Sequence, residues 1–141
     1  MSAFAVRPLK GTELHLVALL RLSREQERFL PEEFPVSTVK SQQWGLWLLQ
    51  RLVGIVEIVG EPPVLWISRI GIDVDYQGLG YGQAGLEALL RVLGRSLRVR
   101  EVRAAVHREN LPARRLFEKV GFRAVGEPDE MGEVVYYYSF R

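Results

Sequence analysis

The stretch Gln77-Gly78-Leu79-Gly80-Tyr81-Gly82-Gln83 sets three glycines at alternate positions and runs at once into a leucine-rich segment. Glycines at the start of a helix let backbone N–H groups converge on a ligand with no Cβ in the way, and the positive end of the helix favours negative charge there. The chemistry on offer is phosphate binding, since a plain strand-to-helix connection needs fewer glycines. Two spellings compete for the loop. Gly80, Gly82 and Gly85 form G-x-G-x-x-G, the dinucleotide fingerprint, with Glu109 after the next strand as a ribose-binding acid. Against that spelling, Asp75, Tyr76 and Gln77 intervene between Val74 and the glycines. The short chain after Glu109 reads as one helix and an antiparallel hairpin, which cannot complete a doubly wound sheet. No Gly-Lys-Ser/Thr follows, so a P-loop is excluded.

Other reactive groups are sparse. With no cysteine and only His15 and His107, disulfides, thiolate sites and a cysteine nucleophile are excluded, and no metal site is expected. Glu57 is a lone carboxylate in an apolar strand, either a cleft residue or part of a solvated face. His107 shares a strand face with Ala105, so it either projects toward a cleft or ends the strand in solvent. Tyr136 and Tyr138 share one face of the last strand, a pattern more often core than catalytic.

These residues must be positioned by a chain of 141 residues, one domain's worth, taken as a single domain over residues 1–141. "FAVRPLK" reads as a strand, and Thr12 opens a helix with Leu14, Val17, Ala18 and Leu22 apolar. "REQERFLPEEFP" is a second short helical or irregular piece. "WGLWLLQ" and "LVGIVEIVG" form a hairpin turning near Gln50-Arg51, "GEPP" makes the next turn, and "VLWISRIGIDV" is the next strand. After the loop, Leu86, Leu89, Leu90 and Leu93 fall at i, i+3, i+4 and i+7, an amphipathic helix closed by Gly94. "REVRAAV" is a strand. Asn110 caps a second helix with the stripe Ala113, Leu116, Phe117 and Val120, stopped by Gly121. "FRAVGE" and "EVVYYYSF" end the chain as an antiparallel pair.

Composition is that of a soluble globular protein, 48% hydrophobic and 26% charged, with no apolar run long enough to span a membrane and no signal-peptide layout, which places it in the cytoplasm. The net charge of +2 is small. Arginines cluster at Arg91, Arg95, Arg98, Arg100 and Arg103, but no aromatic pattern is interleaved with them, so a solvated face is favoured over a nucleic-acid footprint; a bound phosphate-bearing cofactor, which needs only a few of these charges, is a third option.

"DVDYQGLGYGQAGL" resembles the acyl-coenzyme A loop of the GNAT superfamily of N-acetyltransferases, Arg/Gln-x-x-Gly-x-Gly/Ala after a central strand, with Gln77, Gly80 and Gly82 filling the pattern. "NLPARRLFEKVGF" is similar to the second signature of that family, and the element order agrees from end to end. The resemblance implies an α/β domain whose mixed, mostly antiparallel sheet has about six to seven strands with helices on both faces. It implies acetyl-coenzyme A (acetyl-CoA) as acyl donor, its pyrophosphate on Gln77, Gly78, Leu79, Gly80, Tyr81, Gly82 and Gln83. The pantetheine arm would lie along Ile72, Asp73 and Val74, beside Asn110 and Phe117. A glycine within the central strand, Gly71, fits a bulge or a close packing contact. The oxyanion donor would be a backbone amide near Ile72.

The implied reaction is direct acetyl transfer to a small-molecule or peptide amine; the alternatives are a non-catalytic acyl-CoA-binding module and, remotely, a dinucleotide enzyme. An amine of pKa about 10.4 costs about 4 kcal/mol to neutralise at pH 7.5, so a base is required. The usual residues are missing: Phe117 stands where many relatives have a tyrosine acid, Ala105 where some have a glutamate, and Val64 to Ile72 holds no carboxylate. His107, Glu57 and Tyr138 are the remaining catalytic candidates. Acids at Glu25, Glu27, Glu32, Glu33, Asp129, Glu130 and Glu133 lie in segments that border the acceptor in relatives. The acceptor's identity and the oligomeric state stay open, although sheet edges could pair between subunits.

Overall fold

Alternating apolar residues build seven strands, β1 (Phe4–Pro8), β2 (Ser41–Leu48), β3 (Arg51–Glu61), β4 (Val64–Ile72), β5 (Glu101–His107), β6 (Arg123–Val125) and β7 (Glu133–Ser139), in a computed structural model that describes residues 4–22 and 41–140. They form one sheet in the order β1-β2-β3-β4-β5-β7-β6. All neighbours are antiparallel except β4 and β5. A single parallel pair cannot make a doubly wound sheet, so the dinucleotide spelling has no fold to serve. The piece expected over residues 24–35, with Glu25, Glu27, Glu32 and Glu33, lies outside the described residues.

The β4-to-β5 crossover is α1 (Tyr81–Gly94), and α2 (Leu111–Val120) links β5 to β6. Both pack on one face, where the leucine stripe of α1 and Phe117 of α2 bury against Leu46, Val53, Val56, Val102, Ala104 and Val106. Each fully buried leucine contributes about 2 kcal/mol from removal of apolar area from water. Gly85 permits this contact, because a Cβ there would stand 2.6 Å from Leu46 Cδ2. The third glycine of the dinucleotide spelling is therefore a helix-on-sheet packing residue.

The opposite face carries Trp47, Ile55 and Val59, which are buried yet lie outside that cluster. The helix expected from Thr12 lies against this face but is a 3-10 helix, Gly11–Leu19, with i→i+3 bonds such as Glu13 N–H to Lys10 O at 2.8 Å. Its apolar positions do not make a continuous stripe, for Leu14 and Leu19 are 47% and 69% exposed, so packing does not enforce a full α-helical pitch. Glu13 anchors its first turn with two 2.7 Å bonds from the Arg7 guanidinium and one from the Lys10 amide. These hold the Glu13 carboxyl down at about 2, chiefly through Arg7.

The hairpin turn falls one residue earlier than expected, at Leu49 and Gln50, with Leu49 at φ 57°. Gly121 ends α2 in the left-handed region at φ 114°, where its N–H group closes on the Phe117 and Glu118 carbonyls.

Gly54 is the tightest point between β3 and β4, since an added Cβ would stand 2.8 Å from the Gly71 carbonyl oxygen. Backbone cannot rotate aside as a side chain does. Gly54→Ala is therefore expected to destabilise the fold by about 2 kcal/mol, read as a lower urea midpoint.

Candidate active site

The site begins with a fault in the sheet. The β3–β4 register jumps between Glu57↔Arg69 and Ile58↔Ile67, leaving Ser68 as an extra residue in β4. A bulge bends its strand and increases its twist. Immediately beyond it β4 and β5 part: their ladder runs from Val64↔Glu101 to Ile67↔Ala104, while β4 continues to Ile72 and β5 to His107. Of the two readings of Gly71, the bulge lies instead at Ser68, while Gly71 pairs regularly with Ile55 and is closely packed under Leu22, 3.0 Å from a Cβ built on it.

Hydrogen-bond alternation fixes which backbone groups look into the fork. Asp73 N–H bonds Val53 O at 2.8 Å, so Ile70 and Ile72, on the same alternation, turn their backbone polar groups toward β5. Arg108 N–H bonds Gly132 O at 2.8 Å, which by the same rule turns Ala105 and His107 toward β4. Two of these carbonyls already have partners: Gln77 Nε2 donates to Ile72 O at 3.0 Å, and Asn110 N–H to His107 O at 2.9 Å. Of the edge expected at Ile72 and Val74, Ile72 faces the fork. Val74 has left the strand for a 3-10 turn and gives its amide to Arg21 O at 2.6 Å.

The glycine loop closes the open end of the fork. Gly78 and Gly80 have φ 73° and 84°, a region L-residues avoid, and a Cβ on either would meet nothing within 4 Å. Backbone conformation, not crowding, requires them, and the space in front of both is open. Gly80 is the N-cap of α1, so the first-turn amides of Tyr81, Gly82 and Gln83 point out of the helix end beside it. Gly82 would accept a Cβ in ordinary contact with Leu116 and Ile72, at 3.6 and 3.9 Å, in keeping with a pattern that reads Gly/Ala there. Tyr81 stacks on Phe4 at 5.6 Å and Gln83 bonds Glu87, so both side chains are turned away and only their amides face the loop. Leu79 stands exposed at its tip.

Asp73 and Phe117, both expected beside the cofactor, have buried side chains with partners inside the protein. Phe117 is 2% exposed between Phe122 and Tyr136 because it lies at the centre of the apolar stripe. The Asp73 carboxylate, 6% exposed, accepts from the Arg21 and Asp75 amides at 3.0 Å each and lies 3.7 Å from the Arg21 guanidinium, which also pairs with Asp75. Burial alone would push its carboxyl up; those amides and the charges of Arg21 and Arg51 outweigh that and leave it below the usual value. Asp73 clamps the chain after the 3-10 helix to the end of β4.

The catalytic candidates separate by position. Glu57, on β3, lies one strand away from the fork and is joined to its vertex by Ser68, whose Oγ donates to Oε1 at 2.7 Å. His107 lies farther along β5 with Nδ1 accepting from Glu109 N–H at 3.1 Å, so the imidazole caps a turn. Tyr138 does not reach the fork: it pairs with Val102, below the last β4–β5 rung, and its ring packs on Phe122 and Phe140. Asn110 caps α2, accepting from Ala113 N–H at 3.3 Å, next to the Glu109 turn at the end of β5. Asp129 accepts from the Met131 and Glu133 amides and shapes its own loop. Ser68 and Ile70 had no motif to mark them. The one available signal was a polar serine-arginine pair inside an apolar strand.

A cavity of about 620 Å³ between Arg91, Arg95, Lys119, Tyr138 and Phe140 lies at the C-terminal ends of both helices. Its cations complement the negative poles of both helices. Among the described residues no helix is long and apolar enough to cross a membrane, and no three metal-ligating side chains cluster.

A mixed sheet split between its central strands and topped by a glycine loop at a helix N-terminus is the architecture of an acyl-CoA-type acyltransferase fold. Residues 14–122 match the acetyltransferase (GNAT) family, and the chain belongs to that family. Over 71 residues it is 35% identical to a probable spermine N(1)-acetyltransferase of Bacillus subtilis subsp. natto (strain BEST195), a match covering 50% of this chain and 47% of the relative. A spermine/spermidine N(1)-acetyltransferase of Bacillus subtilis (strain 168) matches to the same extent, so the chain spans about half the length of the curated relatives it matches. Among solved structures, spermidine N-acetyltransferase from Vibrio cholerae in complex with CoA and spermine superposes with TM-score 0.77 at 18% identity, covering 97% of this chain and 95% of that one. An acetyltransferase from Thermus thermophilus gives 0.73 at 22% identity, covering 99% of each chain. At such identities these two share the fold.

The Asp73 clamp has a pH signature. Because its folded-state pKa is depressed, its stabilisation is present above the unfolded value, roughly pH 4, and is lost as pH falls through the lower folded value. Asp73→Asn should lower stability by about 2 kcal/mol at pH 7, and the gap to the unaltered protein should narrow below about pH 4 in urea titrations.

Proposed function

We propose that this protein is an acetyl-CoA-dependent N-acetyltransferase that passes an acetyl group directly to an amine. The observation that carries the reading is the fork: two central strands that stop pairing after Ile67 and Ala104, with backbone polar groups of Ile70 and Ala105 turned into the gap. An extended arm fits such a gap as an added strand. The positive-φ glycines Gly78 and Gly80, with open space before them, suit a pyrophosphate at the same end.

In this reading the amides of Gly78 to Gln83 hold the pyrophosphate. The pantetheine arm lies against the Ile70–Ile72 edge with Asn110 across the gap, and the thioester is carried down toward the bulge. The Ile70 amide, facing the fork, is placed to donate to the carbonyl oxygen as it gains charge during attack. Bound acetyl-CoA supplies an activated acetyl group on a thiolate leaving group. The protein supplies alignment, exclusion of water and an acceptor for the amine proton. The names of the Bacillus relatives support a small polyamine as the first acceptor to try. A peptide amine is the second, in view of a similar fold in the ribosomal-protein-S18-alanine N-acetyltransferase of Escherichia coli, at TM-score 0.71, 19% identity and coverage of 97% of this chain and 94% of that one.

Calorimetric titration should give micromolar or tighter binding of acetyl-CoA and none of a nicotinamide dinucleotide. Release of free thiol with spermine present separates an enzyme from a binding module. Gly80→Val should abolish acetyl-CoA binding at a folding cost of only about 1–2 kcal/mol for a left-handed β-branched residue. Unchanged affinity in that variant refutes the loop assignment.

A further inference from the structure

The sheet face opposite α1 and α2 is apolar along β3, with Ile55 and Val59 buried, except at one level. There Gln43 on β2, Glu57 on β3 and Arg69 on β4 are cross-strand neighbours, and the bulge adds Ser68. Residues directly opposite in adjacent strands carry their side chains on the same face, so these form one polar row. The row is poorly satisfied from within. Gln43 Oε1 and Arg69 Nε are buried with no hydrogen-bond partner among the described residues. Among the same residues the one side-chain bond to the Glu57 carboxylate is from Ser68 Oγ, at 2.7 Å, although Arg69 stands opposite. Buried polar groups left open in this way are costly unless something completes them. The row ends at Ser68, the first residue past the last β4–β5 rung.

We propose that Glu57 is the proton acceptor for the amine and that Ser68 Oγ is the bridge through which the proton reaches it. The inference rests on the acetyl-transfer reading and assigns the base that reading lacks. The ammonium group of the acceptor donates to Ser68 Oγ, and the serine proton moves along its existing bond to Glu57 Oε1, so one proton leaves nitrogen and one arrives on the carboxylate. The neutral amine then attacks the thioester carbonyl carbon. The N–C bond forms, the C–S bond breaks with its electron pair on sulfur, and the second nitrogen proton neutralises the thiolate. Glu57 returns its proton to water. Arg69 is the charged neighbour across from Glu57 on β4 and Gln43 the uncharged one on β2. Continued without the extra residue, the Ile58↔Ile67 register would set Ser68 directly opposite Glu57 and turn Arg69 to the other face; the bulge keeps Ser68 beside Glu57 and brings Arg69 into the row as well.

The test is a pH profile of acetyl transfer to spermine, with n-butylamine as a second acceptor, between about pH 6.5 and 10 for the unaltered protein, Glu57→Gln and Ser68→Ala. Acetyl-CoA affinity is measured alongside by calorimetry. Glu57→Gln should lower kcat about a hundred-fold at pH 7.5. That deficit should shrink roughly ten-fold per pH unit as the amine begins to lose its own proton. Ser68→Ala should lose about ten-fold with the same trend, because water can replace the hydroxyl. Acetyl-CoA affinity should be unchanged in both. A pH profile parallel to that of the unaltered protein, or a loss confined to the acceptor KM, overturns the proton-transfer role. Failure of the unaltered protein to acetylate spermine, n-butylamine or a peptide with a free N-terminus overturns the acetyl-transfer reading itself.

Discussion

The molecule turns on two parallel strands that agree to pair for half their length and then separate. Parallel pairing at the centre of a sheet normally consumes every backbone group on both edges. Once β4 gains an extra residue at Ser68 its twist increases, and the β5 ladder cannot follow. The backbone groups of Ile70 and Ala105 are then held facing a gap inside an otherwise continuous core. The rest of the structure tolerates that gap. Seven strands share the load, the α1 leucines and Phe117 seal one face, and Gln77 and Asn110 cover two of the carbonyls at its open end.

The glycine loop makes a complementary point about how a motif is decoded. Its glycines are spelled alike and serve different physical ends. Gly78 and Gly80 supply left-handed backbone before open space, whereas Gly85 lets a helix come within reach of Leu46. The letters G-x-G-x-x-G therefore mix a left-handed loop residue with one element of a core contact, which is why that spelling suggests a dinucleotide fold that the sheet does not have.

Much of this was legible from residue order. Asn110 as a cap, Gly121 as a left-handed stop, the β2–β3 hairpin and the α1 stripe are local features, and local features leave local signatures. The bulge at Ser68 was not legible, because a bulge is a relation between two strands and its signature appears only when the partner's register is known. The surroundings of the Asp73 and Phe117 side chains were hidden for a related reason. The motif places their Cα atoms near a cofactor path, but the side-chain direction is set by Arg21 and by the aromatic cluster, which sequence proximity does not reveal. Glu57 shows the reverse: its position in an apolar strand flagged it, while its relevance depends on a serine on the neighbouring strand.

The Asp73 clamp has one more implication. Four internal partners fix this residue: the Val53 carbonyl, the Tyr76 amide, and the Arg21 and Asp75 amides. The turn leading into the glycine loop is thereby ordered by the polypeptide alone. A ligand arriving at such a loop does not have to freeze it, so the conformational entropy that docking would otherwise remove has already been surrendered during folding. The same clamp ties the chain leaving the 3-10 helix to the strand end that borders the fork.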